Sequence, residues 1–230
     1  MVTSGSLRER RRADTVAEIK TVALELLADG GPEALSLRAV AREVGVSVQA
    51  LYHYFDSRDA LLTDLVTDAF TALADAVREG GAAGGTRAER LSGAALAYRR
   101  WALEHRPAFL LALGAPVPGY AAPEGGPTTE AAGRMGEAFQ EVVFGGWTAQ
   151  ELLALPYHGE SAETAVQEGP TGLPPGALQL FVIGWATLHG FVMLEAHGHL
   201  VWTADSGDDT FLALIAHYAD TLERARTGAP

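Results

Sequence analysis

The segment from Ser36 to Leu62, SLRAVAREVGVSVQALYHYFDSRDALL, constrains the fold more than any other part of the chain. Ser36 can cap a helix, because its hydroxyl can accept a hydrogen bond from a free backbone N–H of the first turn. Gly45 can end that helix, since glycine tolerates the left-handed backbone that such a turn requires. Between them, apolar residues recur with the spacing of one buried helix face, at Leu37, Val40, Ala41 and Val44. The pattern predicts a short amphipathic helix followed by a tight turn.

A second short helix is expected directly after the turn, with Ser47 as its cap, and Ser57 can cap a third one behind it. The expected inward side chains of the second helix are Val46, Leu51 and Phe55. The expected outward ones are Val48, Gln49, Tyr52 and His53. Two helices joined in this way form a helix-turn-helix, whose second helix lies in the major groove of DNA. The spacing alone also permits an ordinary helical hairpin with a polar solvent face.

The outward side chains have the chemistry that contact with DNA requires. Gln49 offers a donor and an acceptor to a base edge, His53 can act as either, and Val48 can touch a thymine methyl group. Hydroxyl groups and arginines that can reach phosphate oxygens stand nearby, at Ser36, Ser47, Tyr52, Tyr54, Arg38 and Arg58.

From about residue 13 to residue 70 the chain resembles the TetR family of bacterial transcriptional regulators. The specific element is GVS-x-x-ALY-x-YF-x-S-R-x-ALL, and the helix ADTVAEIKTVALELLADGG precedes it. Arg58 stands where a phosphate-binding lysine is usual in the family, and Tyr54 stands where histidine is common. The resemblance implies a surface that faces DNA, made of Ser36, Arg38, Ser47, Val48, Gln49, Tyr52, His53, Tyr54 and Arg58.

The net charge of −12 is unexpected for a protein that binds DNA, but the charge is unevenly distributed. Residues 1–58 carry eight Lys and Arg and eight Asp and Glu, whereas residues 59–230 carry nine and twenty-one. The neutral end also holds an arginine cluster at Arg8, Arg10, Arg11 and Arg12. This cluster predicts either a flexible basic arm that adds phosphate or minor-groove contacts, or a solvated disordered tail.

Helical patterns dominate the rest of the chain, and no sustained period-2 alternation predicts a strand. We therefore expect an all-α protein of about nine helices. Three regions are expected: a flexible basic arm at residues 1–12, a helix-turn-helix domain at 13–58, and a ligand-binding and dimerisation domain at 59–230. A long connection rich in proline and glycine is expected at residues 156–176.

Residues 177–200 are apolar enough for a membrane span to be considered. Gln179, His189 and Glu195 in or near this run, and the lack of a basic flank, argue against one. A helix that is apolar all round is otherwise buried on every side, by its own core and a second copy. The resemblance implies that the last two helices form a four-helix bundle with a partner. We expect a homodimer, no membrane, and an operator in double-stranded DNA that is nearly palindromic.

The resemblance also implies a pocket for a small-molecule effector in the second domain. Trp185 and His189 are four residues apart and should share one helix face. Together with other aromatic and polar side chains they suggest an aromatic wall with a polar anchor. A packed core with one hydrogen-bonded histidine is the alternative. The candidate ligand-binding residues are Trp101, His105, Phe109, Phe139, Trp147, Trp185, His189 and Met193.

No pattern in the chain indicates catalysis. The H-E-x-x-H, G-x-S-x-G and P-loop motifs are missing, there is no cysteine, and the spacing of His189, Glu195, His197 and His199 matches no metal-ligand set. We expect no enzyme activity, no metal site and no cofactor, and a cytoplasmic location. The expected function is that of a repressor released from its operator by an effector. A TetR-like activator, a ligand-independent regulator, and a helical small-molecule-binding or metal-binding protein are the alternatives.

Overall fold

The computed structural model describes residues 4–83, 85–159, 172–203 and 207–227. Within these ranges the chain forms ten α-helices and no strand, which confirms the all-α class. The helices are α1 (Ser4–Ala34), α2 (Leu37–Val44), α3 (Val48–Tyr52), α4 (Arg58–Ala82), α5 (Arg87–Glu104), α6 (Arg106–Leu113), α7 (Pro127–Phe144), α8 (Ala149–Leu153), α9 (Pro175–Ala196) and α10 (Asp208–Thr227). Most of the long connection predicted at 156–176 lies outside the described residues.

The predicted helix ends of the helix-turn-helix are confirmed in detail. The Ser36 hydroxyl accepts a hydrogen bond from the N–H of Ala39 at 3.1 Å, and the Ser47 hydroxyl accepts one from the N–H of Ala50 at 3.1 Å. Gly45 ends α2 with φ 77° and ψ 25°, in the left-handed region. The turn between α2 and α3 is therefore fixed by local chemistry.

The chain packs as two compact units, and the first one includes a segment that is distant in sequence. It comprises the described residues up to Ala69 together with Pro107–Thr129. Val117 is buried in the core of this unit with Leu51 and Leu62, and the Tyr120 hydroxyl lies 3.0 Å from that of Thr63. Residues 107–129, which the sequence assigns to the second domain, therefore pack with the helix-turn-helix.

The first helix begins earlier than the sequence pattern suggests. Residues 4–12 form the first turns of α1, so Arg8, Arg10 and Arg11 lie on this helix, whose helical backbone is interrupted only near its end, at Gly31 (φ 68°, ψ −170°). Arg12 donates to the backbone carbonyl of His53 at 3.4 Å, and its guanidinium lies 5.0 Å from the ring centroid of Tyr54. Whether residues 1–12 also act as a flexible arm stays a prediction.

The second unit comprises Phe70–Arg106 and the described residues from Glu130 onward. Tyr98, Val192, Phe211 and Leu222 are fully buried there. Helix α9 buries only one side, and the exposed fractions of its apolar residues Val182, Ile183 and Leu194 are 49%, 53% and 46%. Helix α9 is long and apolar enough to cross a membrane. The core helix of a soluble protein can have the same length and composition, so this is weak evidence for a membrane span.

Candidate nucleic-acid interface and ligand cavity

Helix α3 presents polar side chains to solvent because its apolar residues are anchored below. Leu51 is fully buried, and Phe55, just beyond the helix, is also buried. Gln49, Tyr52 and His53 are exposed, and 51% of Tyr52 is accessible. The predicted division of α3 into inward and outward residues is thus confirmed for these five positions. Val46 and Val48 are both half-buried.

The serine and arginine residues predicted to reach phosphates surround α3 in the same unit. The hydroxyls of Ser36 and Ser47 act as acceptors toward their own helices, so each can still donate its O–H outward. Arg38 is exposed, and Tyr54 is half-buried beside Arg12. The structure therefore brings the polar residues of α2 and α3 together with a positive charge from α1.

Arg58 is turned toward the protein rather than toward solvent. Its Nε donates to the carbonyl of Leu35 at 2.9 Å, and its Nη2 donates to the carbonyl of Pro32 at 2.8 Å. These bonds tie the start of α4 to the connection between α1 and α2. This structural role could not be predicted from the sequence, because nothing in the local pattern around Arg58 identifies carbonyls more than twenty residues away.

Three of the predicted ligand-binding residues form one aromatic cluster in the second unit. The Trp185 and His189 rings stack with centroids 5.0 Å apart, as their spacing of four residues predicts. Phe139 meets Trp185 edge to face at 5.4 Å. The ring centroid of Tyr98, a residue not predicted from the sequence to take part, lies 5.5 Å from that of Phe139 and 5.8 Å from that of Trp185. Edge-to-face packing of this kind stabilises the interior of the unit.

The other predicted ligand-binding residues lie in different surroundings. Trp101 stacks on the exposed His105 at 4.8 Å, whereas Phe109 is fully buried in the first unit. Trp147 lies close to the guanidinium groups of Arg87 and Arg226, each with its Cζ 5.4 Å from the ring centroid. Met193 is half-buried on α9. The structure does not bring these residues together, since the sequence indicates their chemistry but not their tertiary neighbours.

A small cavity of about 30 Å³ adjoins the aromatic cluster. Phe139 and Trp185 line it, and Ala94 and Ala95 of α5 form part of its floor. None of the described residues that line it carries a charge. The cavity has the apolar character that small-molecule sites favour, although its volume matches only about one water molecule.

Burial changes the titration of the polar pair beside the cavity. The Tyr98 hydroxyl lies 3.0 Å from Nδ1 of His189. Burial raises the pKa of Tyr98, so its phenol stays protonated and donates to the ring nitrogen. Burial also lowers the pKa of His189, which favours the neutral imidazole that can accept this bond.

This pair predicts a loss of stability in mild acid. Burial lowers the pKa of His189 in the folded state below its ordinary value of 6.5. The stability that the neutral imidazole contributes is therefore complete above about pH 6.5 and is lost as the pH falls through the folded-state pKa. The variant His189→Gln keeps an acceptor for Tyr98 but cannot titrate. We expect the Tm of the natural chain to fall by a few degrees more than that of the variant between about pH 8 and about pH 5. An equal fall in Tm for the natural chain and for His189→Gln would contradict the assignment of this pH dependence to His189.

Glu195, the carboxylate nearest in sequence to His197 and His199, is paired with an arginine. Glu195 accepts from Nε of Arg99 at 2.7 Å, and Asp208 lies 2.7 Å from Nη2 of the same arginine. The rings of His197 and His199 are tilted with centroids 5.9 Å apart. In the part of the chain that the structure describes, no three His, Cys, Asp or Glu side chains are grouped for a metal ion.

Comparison with known proteins covers both units. The family model for bacterial regulatory proteins of the tetR family matches residues 19–65, and that for the tetracyclin repressor-like C-terminal domain matches residues 91–218. The HTH-type transcriptional regulator Rv1816 of Mycobacterium tuberculosis is 32% identical over 204 residues, which cover 83% of this chain and 86% of that protein.

Two solved structures are similar over nearly the whole chain. The regulatory protein SCO4313 superposes with a TM-score of 0.74 at 35% identity, covering 92% of this chain and 98% of that one. A protein with unknown function from Rhodococcus sp. RHA1 gives a TM-score of 0.63 at 26% identity, covering 91% and 93%.

An all-helical chain that presents α3 in a helix-turn-helix belongs to the class of DNA-binding transcriptional regulators. With both family models matched and a relative at 32% identity, this chain is a member of the TetR family. Regulators of this family bind DNA and form dimers.

Proposed function

We propose that the protein is a cytoplasmic, homodimeric repressor that binds a nearly palindromic operator and leaves it when a small molecule binds the second unit. The observation that carries the proposal is the surface of α3, where Gln49, Tyr52 and His53 project from a helix anchored by buried Leu51. The protein acts by binding alone, with no chemical step.

Base and phosphate contacts divide between residue types. Gln49, His53 and the methyl groups of Val48 contact base edges in the major groove. Phosphate contacts fix the position of α3 on the duplex. The proposed phosphate contacts are Ser36, Arg38, Ser47, Tyr52 and Tyr54, with Arg58 reaching a phosphate only if it leaves its carbonyl partners.

The last two helices, α9 and α10, form the proposed dimer interface. Ile183 and Leu194 expose about half of their surface, as does Leu212 on α10. Several apolar residues exposed on one face mark a surface that is covered in the assembled protein. A two-fold dimer then presents two α3 helices to half-sites roughly 34 Å apart or a multiple of that distance.

The proposed effector site is the cavity beside Trp185 and Phe139 in the second unit. A ligand that binds better to a conformation with a different spacing of the two α3 helices shifts the population away from the DNA-bound form. The extent of release is limited by the difference in ligand affinity between the two conformations.

The proposal is tested by selecting genomic fragments on the purified protein and measuring the affinity of the best fragment by gel shift. We expect a nearly palindromic sequence, one or more dimers bound to it, and an affinity that falls steeply as salt rises. Scrambling one half-site of the fragment provides the control. Failure to retard any double-stranded fragment at low salt would refute the proposed function.

A further inference from the structure

The cavity in the second unit is closed on one side and accessible on the other. Its lining residues from α5 and α7, such as Ala95 and Phe139, are buried. Thr187 on α9 is exposed and Leu214 on α10 is half-buried, and both also line the cavity. All lining residues with substantial exposure belong to these two helices. The mouth of the cavity therefore lies at the seam between α9 and α10.

The same seam lies on the face proposed to meet a second copy. Thr187 is four residues after Ile183, and Gly190 and Leu194 follow at helical spacing, so these residues share one stripe of α9. Ile183 and Leu194 are exposed apolar residues of that stripe. A partner packed on the stripe covers Thr187 and, with it, the mouth.

We propose that a second copy of the chain forms the outer wall of this cavity, and that the completed site binds an uncharged, apolar small molecule. The inference rests on the dimer interface of the proposed function and assigns the chemistry of its effector. A site of this kind is incomplete in a single chain, because one wall comes from the partner.

The polar groups on the lining explain why the ligand is uncharged. The Thr187 hydroxyl donates to the carbonyl of Ile183 at 2.7 Å, and the Tyr218 hydroxyl donates to the carbonyl of Leu180 at 3.0 Å. The indole N–H of Trp185 is a further polar group and carries no charge. A charged ligand would lose its hydration here without gaining a partner of opposite charge. An apolar ligand has no such cost and gains by leaving water.

Ligand binding must also widen the seam. The cavity of about 30 Å³ is close to the volume of one water molecule, so an effector needs more room. At Gly184 the two helices touch, since a Cβ at this position would overlap the ring of Tyr218. Displacing the Tyr218 ring from Gly184 enlarges the cavity toward the surface that packs on the partner. Effector binding is therefore linked to dimer packing.

The test uses N-phenyl-1-naphthylamine, a neutral apolar dye whose fluorescence rises in apolar sites. We expect the full chain to bind the dye more tightly at protein concentrations where it is dimeric than where it is monomeric. Energy transfer from tryptophan to the bound dye should fall in Trp185→Phe, whose side chain lines the cavity, and remain in Trp202→Phe, which is exposed outside it.

The deciding variant is Ile183→Arg, which is on the stripe but does not line the cavity. Because 53% of Ile183 is exposed, the chain should fold normally by circular dichroism. We expect a monomer by sedimentation and dye binding about tenfold weaker, the effect of removing one apolar wall. Leu103→Arg on α5, another exposed leucine, is the matched control and should bind the dye normally as a dimer.

The outcomes separate the inference from the proposed function. A monomeric Ile183→Arg with unchanged dye affinity would show a cavity complete within one chain and overturn the shared wall. A natural chain that binds no dye would overturn the apolar ligand class, while gel shifts of the same protein still test the repressor proposal. A dimeric Ile183→Arg would instead contradict the proposed dimer interface.

Discussion

Replacing Arg99 by methionine is expected to lower the free energy of unfolding by about 3–5 kcal/mol. Arg99 is only 9% exposed and lies in α5, where its guanidinium contacts Glu195 of α9 and Asp208 of α10. Its Cζ also lies 4.9 Å from the ring centroid of Phe211. Hydrogen bonding to Glu195 raises the pKa of Arg99, so the guanidinium stays charged throughout the accessible pH range.

The expected loss comes mainly from the carboxylate that the variant leaves behind. The side chain of Glu195 is 15% exposed, so water cannot fully replace the guanidinium. Asp208 is 64% exposed and should contribute little. In a chain of this size the Tm should fall by roughly 6–20 °C, which thermal unfolding followed by circular dichroism measures directly.

A double substitution provides the control for Arg99. Arg99→Met combined with Glu195→Met removes both charges and should recover most of the lost stability, because apolar side chains of similar volume often replace a buried ion pair without cost. If the single variant Arg99→Met loses less than about 1 kcal/mol, the pair behaves as a surface ion pair and the argument from burial is wrong.

The sequence predicted the parts of the molecule that depend on neighbouring residues. Ser36, Gly45 and Ser47 act on backbone groups within a few positions, and the structure confirms each of them. The apolar periodicity also placed Leu51 and Phe55 correctly, since burial of one helix face follows from spacing. Local chemistry therefore accounts for most of the helix-turn-helix.

Contacts between distant residues could not be predicted in this way. Arg99 and Glu195 are 96 positions apart, and neither has a local pattern that names the other. The burial of Val117 in the core around α3 could not be predicted either, because an apolar residue in a proline-rich loop carries no signal of its partner. The predicted ligand-binding residues do not all lie together, because residue type indicates chemistry but not tertiary position. Phe109, for example, lies in the first unit.

Residues of the proposed DNA-contacting surface differ in how far their substitution would affect folding. Arg58 was predicted from the family pattern to bind a phosphate, yet it bonds to two backbone carbonyls. Substituting it would change stability and DNA affinity together. Gln49 and Tyr52 are exposed and have no hydrogen bond to other parts of the protein among the described contacts, so their substitution tests DNA binding with little effect on folding.

The double substitution Gln49→Ala with Tyr52→Ala is expected to weaken operator binding by about two orders of magnitude or more. Gln49, proposed to contact a base edge, contributes roughly 1–3 kcal/mol of discrimination, and Tyr52 adds a hydrogen bond to a phosphate. Each 1.4 kcal/mol is a factor of about ten in affinity. Both residues are uncharged, so the slope of log affinity against log salt should change little. Gel shift on the selected operator at several salt concentrations measures both quantities, and Tm should stay within about 2 °C.

Gln150→Ala, an exposed glutamine of α8 in the second unit, is the matched control and should bind the operator normally. The comparison distinguishes loss of base contacts from general damage, because the double variant should keep its weak, salt-dependent affinity for unrelated duplex. Full operator affinity in the double variant would mean that α3 contacts neither a base through Gln49 nor a phosphate through Tyr52. Equal losses on operator and unrelated DNA would assign Gln49, like Tyr52, to a phosphate contact, since only base contacts discriminate sequence.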